Sequence, residues 1–309
     1  MAEHDDSAKA LARSNGSGHA ALTAPLRRAS TLDGNAAQRQ EIKADLCVIG
    51  GGSGGLSVAA AAAQLGVSVV LVEKGRMGGD CLNAGCVPSK ALIAASKRAH
   101  AMRTSAPFGI VPTNPTIDYR ALHAHVHGVI AAIEPNDSVE RFTGLGVKVV
   151  QAAAQFVSKD TVQAGDVRIK ARRFVIATGS SAAIPPIPGL AQVPFLTNET
   201  LFEGREKRDH LVIIGGGAIG VEMAQAFVRL GSRVTLIEAM KVLGKEDPEI
   251  SQIVLERLAA EGVEIHEGAH VERVTGGTRL IDVHISENGV QSIIQGTDLL
   301  VATGRAPNV

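Results

Sequence analysis

The sequence predicts an α/β chain in which two successive units each stack helices on a parallel sheet, with a small antiparallel β insertion between them. Three observations predict it. Ala, Val, Ile and Gly dominate, aromatic residues make up 3% of the chain and Trp is absent. Such a composition suits helices packed closely on strands that are buried on both faces. An apolar strand, a glycine cluster, an Ala-rich helix and a second apolar strand follow one another from Leu46 to Val72. The same order returns 165 residues later, ending on Glu238 where the first copy ends on Glu73.

The elements follow from local pattern. In the first copy the strand is Leu46 to Ile49, the loop Gly50 to Gly55, the helix Leu56 to Leu65 and the second strand Val67 to Val72. In the second copy they are Leu211 to Ile214, Gly215 to Gly220, Val221 to Leu230 and Arg233 to Ile237. Gly52 to Glu73 and Gly217 to Glu238 each span 21 residues, so the two are copies of one βαβ unit. Between them Pro88 to about Thr104 and Tyr119 to about Phe142 read as helices. Val147 to Phe156, Thr161 to Gln163 and Val167 to Ala171 read as antiparallel strands, and Phe174 to Ala177 as one more buried strand closed by Thr178 and Gly179. Leu299 to Ala302, followed by Thr303 and Gly304, repeats that ending.

At 309 residues the chain holds about two domains. The Pro-rich stretch Ile184 to Gly189 fits neither helix nor central strand, so the boundary falls there, dividing 44–190 from 191–309. Residues 1–43 read as a mobile tail without apolar periodicity. Glu3, Asp5 and Asp6 argue against a transit peptide, and the tail has no apolar core of a secretory signal. The uncharged run Leu46 to Val72 is interrupted by five glycines and reads as strand, loop and helix, not as a membrane span. Lys plus Arg balances Asp plus Glu at 31 each. No excess charge recruits nucleic acid or an anionic membrane, so a small-molecule enzyme is expected. Three cysteines are too few for a secreted disulfide framework, and a reducing cytoplasm fits them best.

The glycine clusters carry chemistry. Gly50 permits a tight turn, Gly52 lets backbone approach a pyrophosphate, and Gly55 lets helix and strand pack closely; Ser53 and Gly54 lie between them. The helix start offers free N–H groups and a positive dipole end to phosphate. A preceding strand, a following helix and an acid about 20 residues on complete the dinucleotide fingerprint. Gly215, Gly217 and Gly220 meet the same tests, so two Rossmann-like units and two dinucleotides are expected, with FAD and a nicotinamide the natural pair. Glu238 would accept hydrogen bonds from a ribose 2′-hydroxyl and repel a 2′-phosphate, which favours NADH over NADPH. Arg233 precedes the strand and is not placed to rescue phosphate binding.

Cys81 and Cys86 lie in Gly78-Gly79-Asp80-Cys81-Leu82-Asn83-Ala84-Gly85-Cys86-Val87-Pro88-Ser89-Lys90. Residues five apart on an ideal helix rise about 7.5 Å, beyond the Cα separation of a disulfide, so a bridge would require a distorted segment. Gly85 supplies that freedom, and Pro88 suits the first turn of a helix. Cys86 then sits just before a helix N-terminus, which favours negative charge on sulfur. Cys47, inside the first strand, reads as a small core residue. His123, His125 and His127 do not converge at two-residue spacing on a helix, so no metal site is expected.

These motifs together resemble the flavoprotein disulfide reductases, the family of lipoamide dehydrogenase, glutathione reductase and mercuric reductase. The resemblance runs from about Ala44 to the last residue and rests on the Gly79-to-Lys90 motif, the two fingerprints and the Ala-Thr-Gly-Arg ending at Arg305. It implies that Cys81 attacks substrate, that Cys86 contacts the flavin, and that Lys90 lies near flavin N5 and pairs with Glu222. Glu73, Lys74, Gly79, Asp80, Ala152, Thr178, Gly179 and Gly304 are implied to border the cofactors. The implied reaction carries electrons from NADH through FAD to the Cys81–Cys86 pair and on to a small-molecule or protein disulfide. A full-length member is expected to be a homodimer, and a metal ion is the alternative electron acceptor. Asp80, Ala218 and Ala152 depart from commoner residues at their positions and leave the substrate open. The family's second FAD segment and its dimer domain, with a His-Glu pair, would follow Val309. The chain as it stands is therefore expected to be weakly active or inactive alone, and a non-catalytic nucleotide-binding truncation product is an alternative reading.

Overall fold

A computed structural model describes residues 40–309. The tail expected over 1–43 lies outside the described residues except for 40–43. Those four belong to the first strand, β1 (Gln40–Ile49), which is six residues longer than its apolar stretch suggests. Its polar start pairs in parallel from Gln40 opposite Val167, so backbone hydrogen bonding, not apolar burial, extends it.

The first half continues with α1 (Ser53–Gln64), β2 (Val69–Glu73), α2 (Gly79–Asn83), α3 (Cys86–Arg103), α4 (Tyr119–Ile133) and α5 (Val139–Gly144). Then come β3 (Lys148–Gln151), β4 (Ala154–Ser158), β5 (Thr161–Ala164), β6 (Val167–Ile176) and β7 (Ser180–Ala182). The strand order in the main sheet is β3-β2-β1-β6-β5-β4, parallel across β3, β2, β1 and β6 and antiparallel from β6 to β4. Three expectations are corrected. Val147 to Phe156 splits into two strands, of which β3 runs parallel to β2. Val167 to Ala177 is one strand through Ile176, because exposed Arg172 is paired with Asp45 at 3.1 Å and causes no break. The helix from Tyr119 ends at Ile133, and a 3₁₀ turn containing Pro135 separates it from α5. Proline there has no N–H to continue the helical ladder.

The second half contains α6 (Asn198–Leu201), β8 (His210–Ile214), α7 (Ala218–Arg229), β9 (Arg233–Glu238), α8 (Pro248–Ala260) and β10 (Val263–Glu267). It closes with β11 (Ala269–Gly276), β12 (Ile281–Glu287), β13 (Val290–Gly296), β14 (Asp298–Val301) and β15 (Arg305–Pro307). Its parallel sheet runs β10-β9-β8-β14, and β11-β12-β13 form an antiparallel layer. β14 lies beside β8 as β6 lies beside β1, so the two halves repeat each other in space as well as in sequence.

Residues 40–309 pack as one compact unit. Leu82, Leu92, Val126 and Ile130 of the first half share a core with Phe202, Val221, Met223 and Phe227 of the second. β15 also returns to pair with β7, so the second half ends on the first. Among the described residues no helix is long and apolar enough to cross a membrane.

Candidate functional site

The two glycine loops are built alike because the same atoms constrain them. Gly50 has φ +112°, and a Cβ there would sit 2.1 Å from the Ala177 carbonyl oxygen; Gly215 has φ +110° and would place one 2.4 Å from the Ala302 carbonyl oxygen. A Cβ on Gly55 or Gly220 would lie 1.8 or 2.0 Å from the carbonyl oxygen of Gly50 or Gly215. Any side chain at these positions would push helix from strand.

The acids at the strand ends hold these loops. Glu73 accepts hydrogen bonds from Gly51 N at 2.5 Å and Gly75 N at 2.6 Å. Glu238 accepts from Gly216 N at 2.7 Å and Met240 N at 2.9 Å. The 21-residue spacing therefore serves the loop as well as any ribose.

Helices α4 and α8 are capped by the carboxylates of Asp118 and Asp247. Helices α1 and α7 begin on Gly52 and Gly217 with no side-chain cap. A Cβ on Gly217 would meet nothing within 4 Å, and one on Gly52 only Gly79 Cα at 3.7 Å. Free first-turn N–H groups thus open onto unfilled space, which fits a pyrophosphate at both loops.

Two clefts extend from the loops. One of about 450 Å³ is bordered by Gly50, Glu73, Lys74, Ala152 and Thr178. The other, of about 580 Å³, is bordered by Gly215, Gly217, Glu238, Lys241, Lys245 and Gly304. Gly179 borders neither; it takes φ +70° and its carbonyl accepts from Asn308 N. The two lysines were not evident from spacing, since they follow the acid in a loop. Lys241 also lies 3.5 Å from Glu267. Arg233 pairs with Glu264 at the start of β9, away from Glu238.

The two cysteines flank a helix break. Cys81 is in α2 and Cys86 is the first residue of α3, with Ala84 and Gly85 outside either helix. All three cysteines are thiols in this structure, with Cys47 buried, Cys81 half-buried and Cys86 exposed. Burial pushes the Cys81 thiol up from its ordinary value, and the neighbouring Cys86 sulfur, a hydrogen-bond partner, adds to the effect. Gly79 backs the turn onto the first glycine loop, since a Cβ on it would lie 2.6 Å from Gly52 Cα.

Lys90 and Glu222 meet across 132 residues, with Nζ 2.8 Å from both carboxylate oxygens. They border a cavity of about 200 Å³ together with Cys86, Asp80, Asn198, Met223 and Arg305. Sequence reasoning missed Asn198. Its amide donates to Asp80 Oδ1 at 3.0 Å and to the Ala84 carbonyl at 3.3 Å, tying the cysteine turn to α6. Arg305 stands 3.4 Å from Asp80 and donates to Ser180, so the second Ala-Thr-Gly ending reaches the same turn.

The three histidines do not converge as a set. His125 is exposed, but His123 and His127 are four apart on α4 and share a face, with ring centroids 4.1 Å apart.

Residues 44–309 match the family described as pyridine nucleotide-disulphide oxidoreductase. The chain is 36% identical over 264 residues to a mercuric reductase of Bacillus cereus, covering 85% of this chain and 42% of that relative. It is also 36% identical over 268 residues to a mercuric reductase of Streptomyces lividans, covering 84% of this chain and 56% of that one. Among solved structures it is similar to the HOCl-induced flavoprotein disulfide reductase RclA of Escherichia coli in its Cu(II) complex. That match has a TM-score of 0.74 and 29% identity, and covers 86% of this chain and 57% of that chain. The chain thus spans about half the length of the curated relatives it matches.

Proposed function

Because the chain belongs to the pyridine nucleotide-disulphide oxidoreductase family, we propose that it uses NADH and FAD to reduce its Cys81–Cys86 pair and then a disulfide substrate, in the manner of lipoamide dehydrogenase. The observation that carries the reading is the Lys90–Glu222 ion pair bordering one cavity with Cys86. When bound, the flavin and nicotinamide supply two-electron transfer to the sulfur pair. The halves 44–190 and 191–309 then hold FAD and NADH respectively. Glu222 holds the Lys90 ammonium in place, and Glu73 and Glu238 keep the glycine loops closed on phosphate. Asn198 and Arg305 steady the turn through Asp80.

At the reduced pair, Cys81 Sγ as thiolate attacks one sulfur of the substrate disulfide and the other sulfur leaves as a thiolate. Cys86 Sγ, once deprotonated, attacks Cys81 Sγ, closes the protein disulfide and expels the second substrate thiolate. Two electrons and two protons pass to the substrate. The pair's location at the exposed mouth of the turn suits small-molecule or protein disulfides. We place this chemistry in the cytoplasm, and a homodimer is the assembly proposed for the whole protein.

A second reading is favoured by the mercuric reductases among the relatives: the reduced pair would hold and reduce a thiophilic metal ion. Differential alkylation and mass spectrometry test the shared step. With FAD bound, Cys81 and Cys86 should resist alkylation in oxidised protein and accept it after NADH addition, while Cys47 stays unreactive. Equal labelling with and without NADH would refute both readings. Lipoamide or another small disulfide, compared with Hg(II) as oxidant of the NADH-reduced protein, separates them.

A further inference from the structure

We propose that His123, His127 and Glu203 form a binding site for a divalent transition-metal cation, separate from the cysteine pair. Each residue offers one ligand atom, and the three atoms all lie within 4.8 Å of one another. Glu203 Oε2 is 3.7 Å from His127 Nε2. Two imidazole nitrogens and one carboxylate oxygen form a donor set suited to Zn(II) or Cu(II), with water as a further ligand.

The inaccessible ring nitrogen of His123 argues for an occupant. Both histidines lie on the side of α4 that carries the buried Val126 and Ile130, where apolar residues would satisfy the packing. His123 Nε2 is buried and has no hydrogen-bond partner. Such an orphan costs about 1–3 kcal/mol, and native proteins rarely leave one. A void of about 30 Å³ adjoins His123, between Tyr119, Val126, Leu201, Phe202 and Arg208, but neither His127 nor Glu203 borders it; the cation would sit instead between the three donor atoms.

Little movement is needed. Tetrahedral ligation at about 2.0–2.2 Å places donor atoms roughly 3.3 Å apart, and the exposed Glu203 carboxylate can close that distance. His127 Nε2 now lies 3.3 Å from the Phe202 carbonyl; on binding, the neutral ring would carry its one proton on Nδ1, leaving the Nε2 lone pair for the cation. The exposed Arg205 opposes a cation here, so its loss should tighten binding.

A cation at this point would tie α4 to the chain just after α6. Leu201 and Phe202 border both this void and the cavity that contains Cys86. Asn198 at the start of α6 holds the cysteine turn, so a bound cation would stiffen one wall of that cavity.

The test uses the full chain with Cys81→Ser and Cys86→Ser, which removes thiol ligands. Zn(II) is titrated against a chromophoric chelator, and Cu(II) binding is read by electron paramagnetic resonance. We expect one site per chain, with nitrogen hyperfine structure from two imidazoles. His123→Gln and His127→Gln should each weaken Zn(II) binding at least about 30-fold and remove one nitrogen from the Cu(II) spectrum. Glu203→Gln, at an exposed position that does not challenge folding, should weaken it about tenfold, Arg205→Ala should strengthen it, and His125→Gln should leave it unchanged. Zn(II) affinity and Cu(II) spectra that are the same in Glu203→Gln and both histidine variants as in their parent would overturn the proposal.

Discussion

If the chain favours NADH as proposed, replacing Glu238 by Gln should narrow its discrimination against NADPH at a modest cost in NADH affinity. Glu238 already accepts from Gly216 N at 2.7 Å and Met240 N at 2.9 Å, so truncation to Ala would loosen the loop as well as remove a ribose partner. Gln keeps a neutral acceptor and removes only the charge. A hydrogen bond to a charged group contributes about 1.5–3 kcal/mol, and a neutral one about 0.5–1.5. The NADH loss is therefore roughly 1–1.5 kcal/mol, or about five- to tenfold in Kd. Repulsion between unit charges about 4 Å apart lies between about 1 kcal/mol in bulk water and about 4 at an effective dielectric of 20. In an open cleft the lower end applies, so NADPH affinity should rise about five- to tenfold. Lys241 and Lys245 border the same cleft and could hold a 2′-phosphate against Glu238. Calorimetric titration of both nucleotides into the unmutated chain, Glu238→Gln and Lys241→Ala/Lys245→Ala decides the matter. The expected change in the ratio of NADPH to NADH affinity is at least about 25-fold for Glu238→Gln. An unmutated chain binding both nucleotides within twofold, or a ratio unmoved by Glu238→Gln, would refute the reasoning.

The remaining predictions concern the ion pairs and the thiols. Lys90 and Glu222 are 60% and 39% exposed, so Glu222→Gln should lower stability by no more than about 1 kcal/mol. Released from its partner, Lys90 can shift by an ångström, and the rate of NADH-dependent reduction of the cysteine pair should fall about 10²-fold; denaturant melts and rapid-quench alkylation measure the two effects separately. Glu261 differs, being 5% exposed and bidentate to Arg229 at 2.6 and 2.7 Å, so Glu261→Ala should cost about 3–5 kcal/mol in urea unfolding by stranding the guanidinium. Burial works against the Glu261 charge, but the bonds from Arg229 and Arg257 prevail and hold its carboxyl below the ordinary value. That stability is therefore fully present above the unfolded-state pKa near 4.5 and lost as pH falls through the lowered folded value, so the penalty of Glu261→Ala should shrink on acidification. In reduced protein, alkylation of Cys81 should reach half its maximal rate at a pH above that of an ordinary thiol, since burial and then Cys86 raise it; a midpoint below that value would contradict the geometry.

Much of the fold was legible because the repeat is local. A strand, a glycine loop and a helix within 21 residues are dictated by close contacts such as Gly55 against Gly50, and those contacts recur in the second copy. Strand limits were less legible. Gln40 to Lys43 carry no apolar pattern and become strand only because β6 lies alongside. Lys148–Gln151 runs parallel to a strand some 78 residues earlier, a pairing that local pattern does not encode. The strands expected at Val167 to Ala171 and Phe174 to Ala177 are one, with exposed Arg172 paired to Asp45 between them.

The amino-acid sequence by itself determined the two nucleotide-binding loops, their acids and the cysteine pair, because each depends on backbone geometry set within a few tens of residues. Tertiary structure alone decided which distant side chains complete them. Lys90 meets Glu222 because α3 packs on α7. Asn198 and Arg305 reach Asp80 because both halves close on the cysteine turn. Glu203 meets His123 and His127 because α6 delivers it to the face of α4. Such meetings depend on how helices and sheets dock across more than 70 residues of chain, where spacing carries no signal.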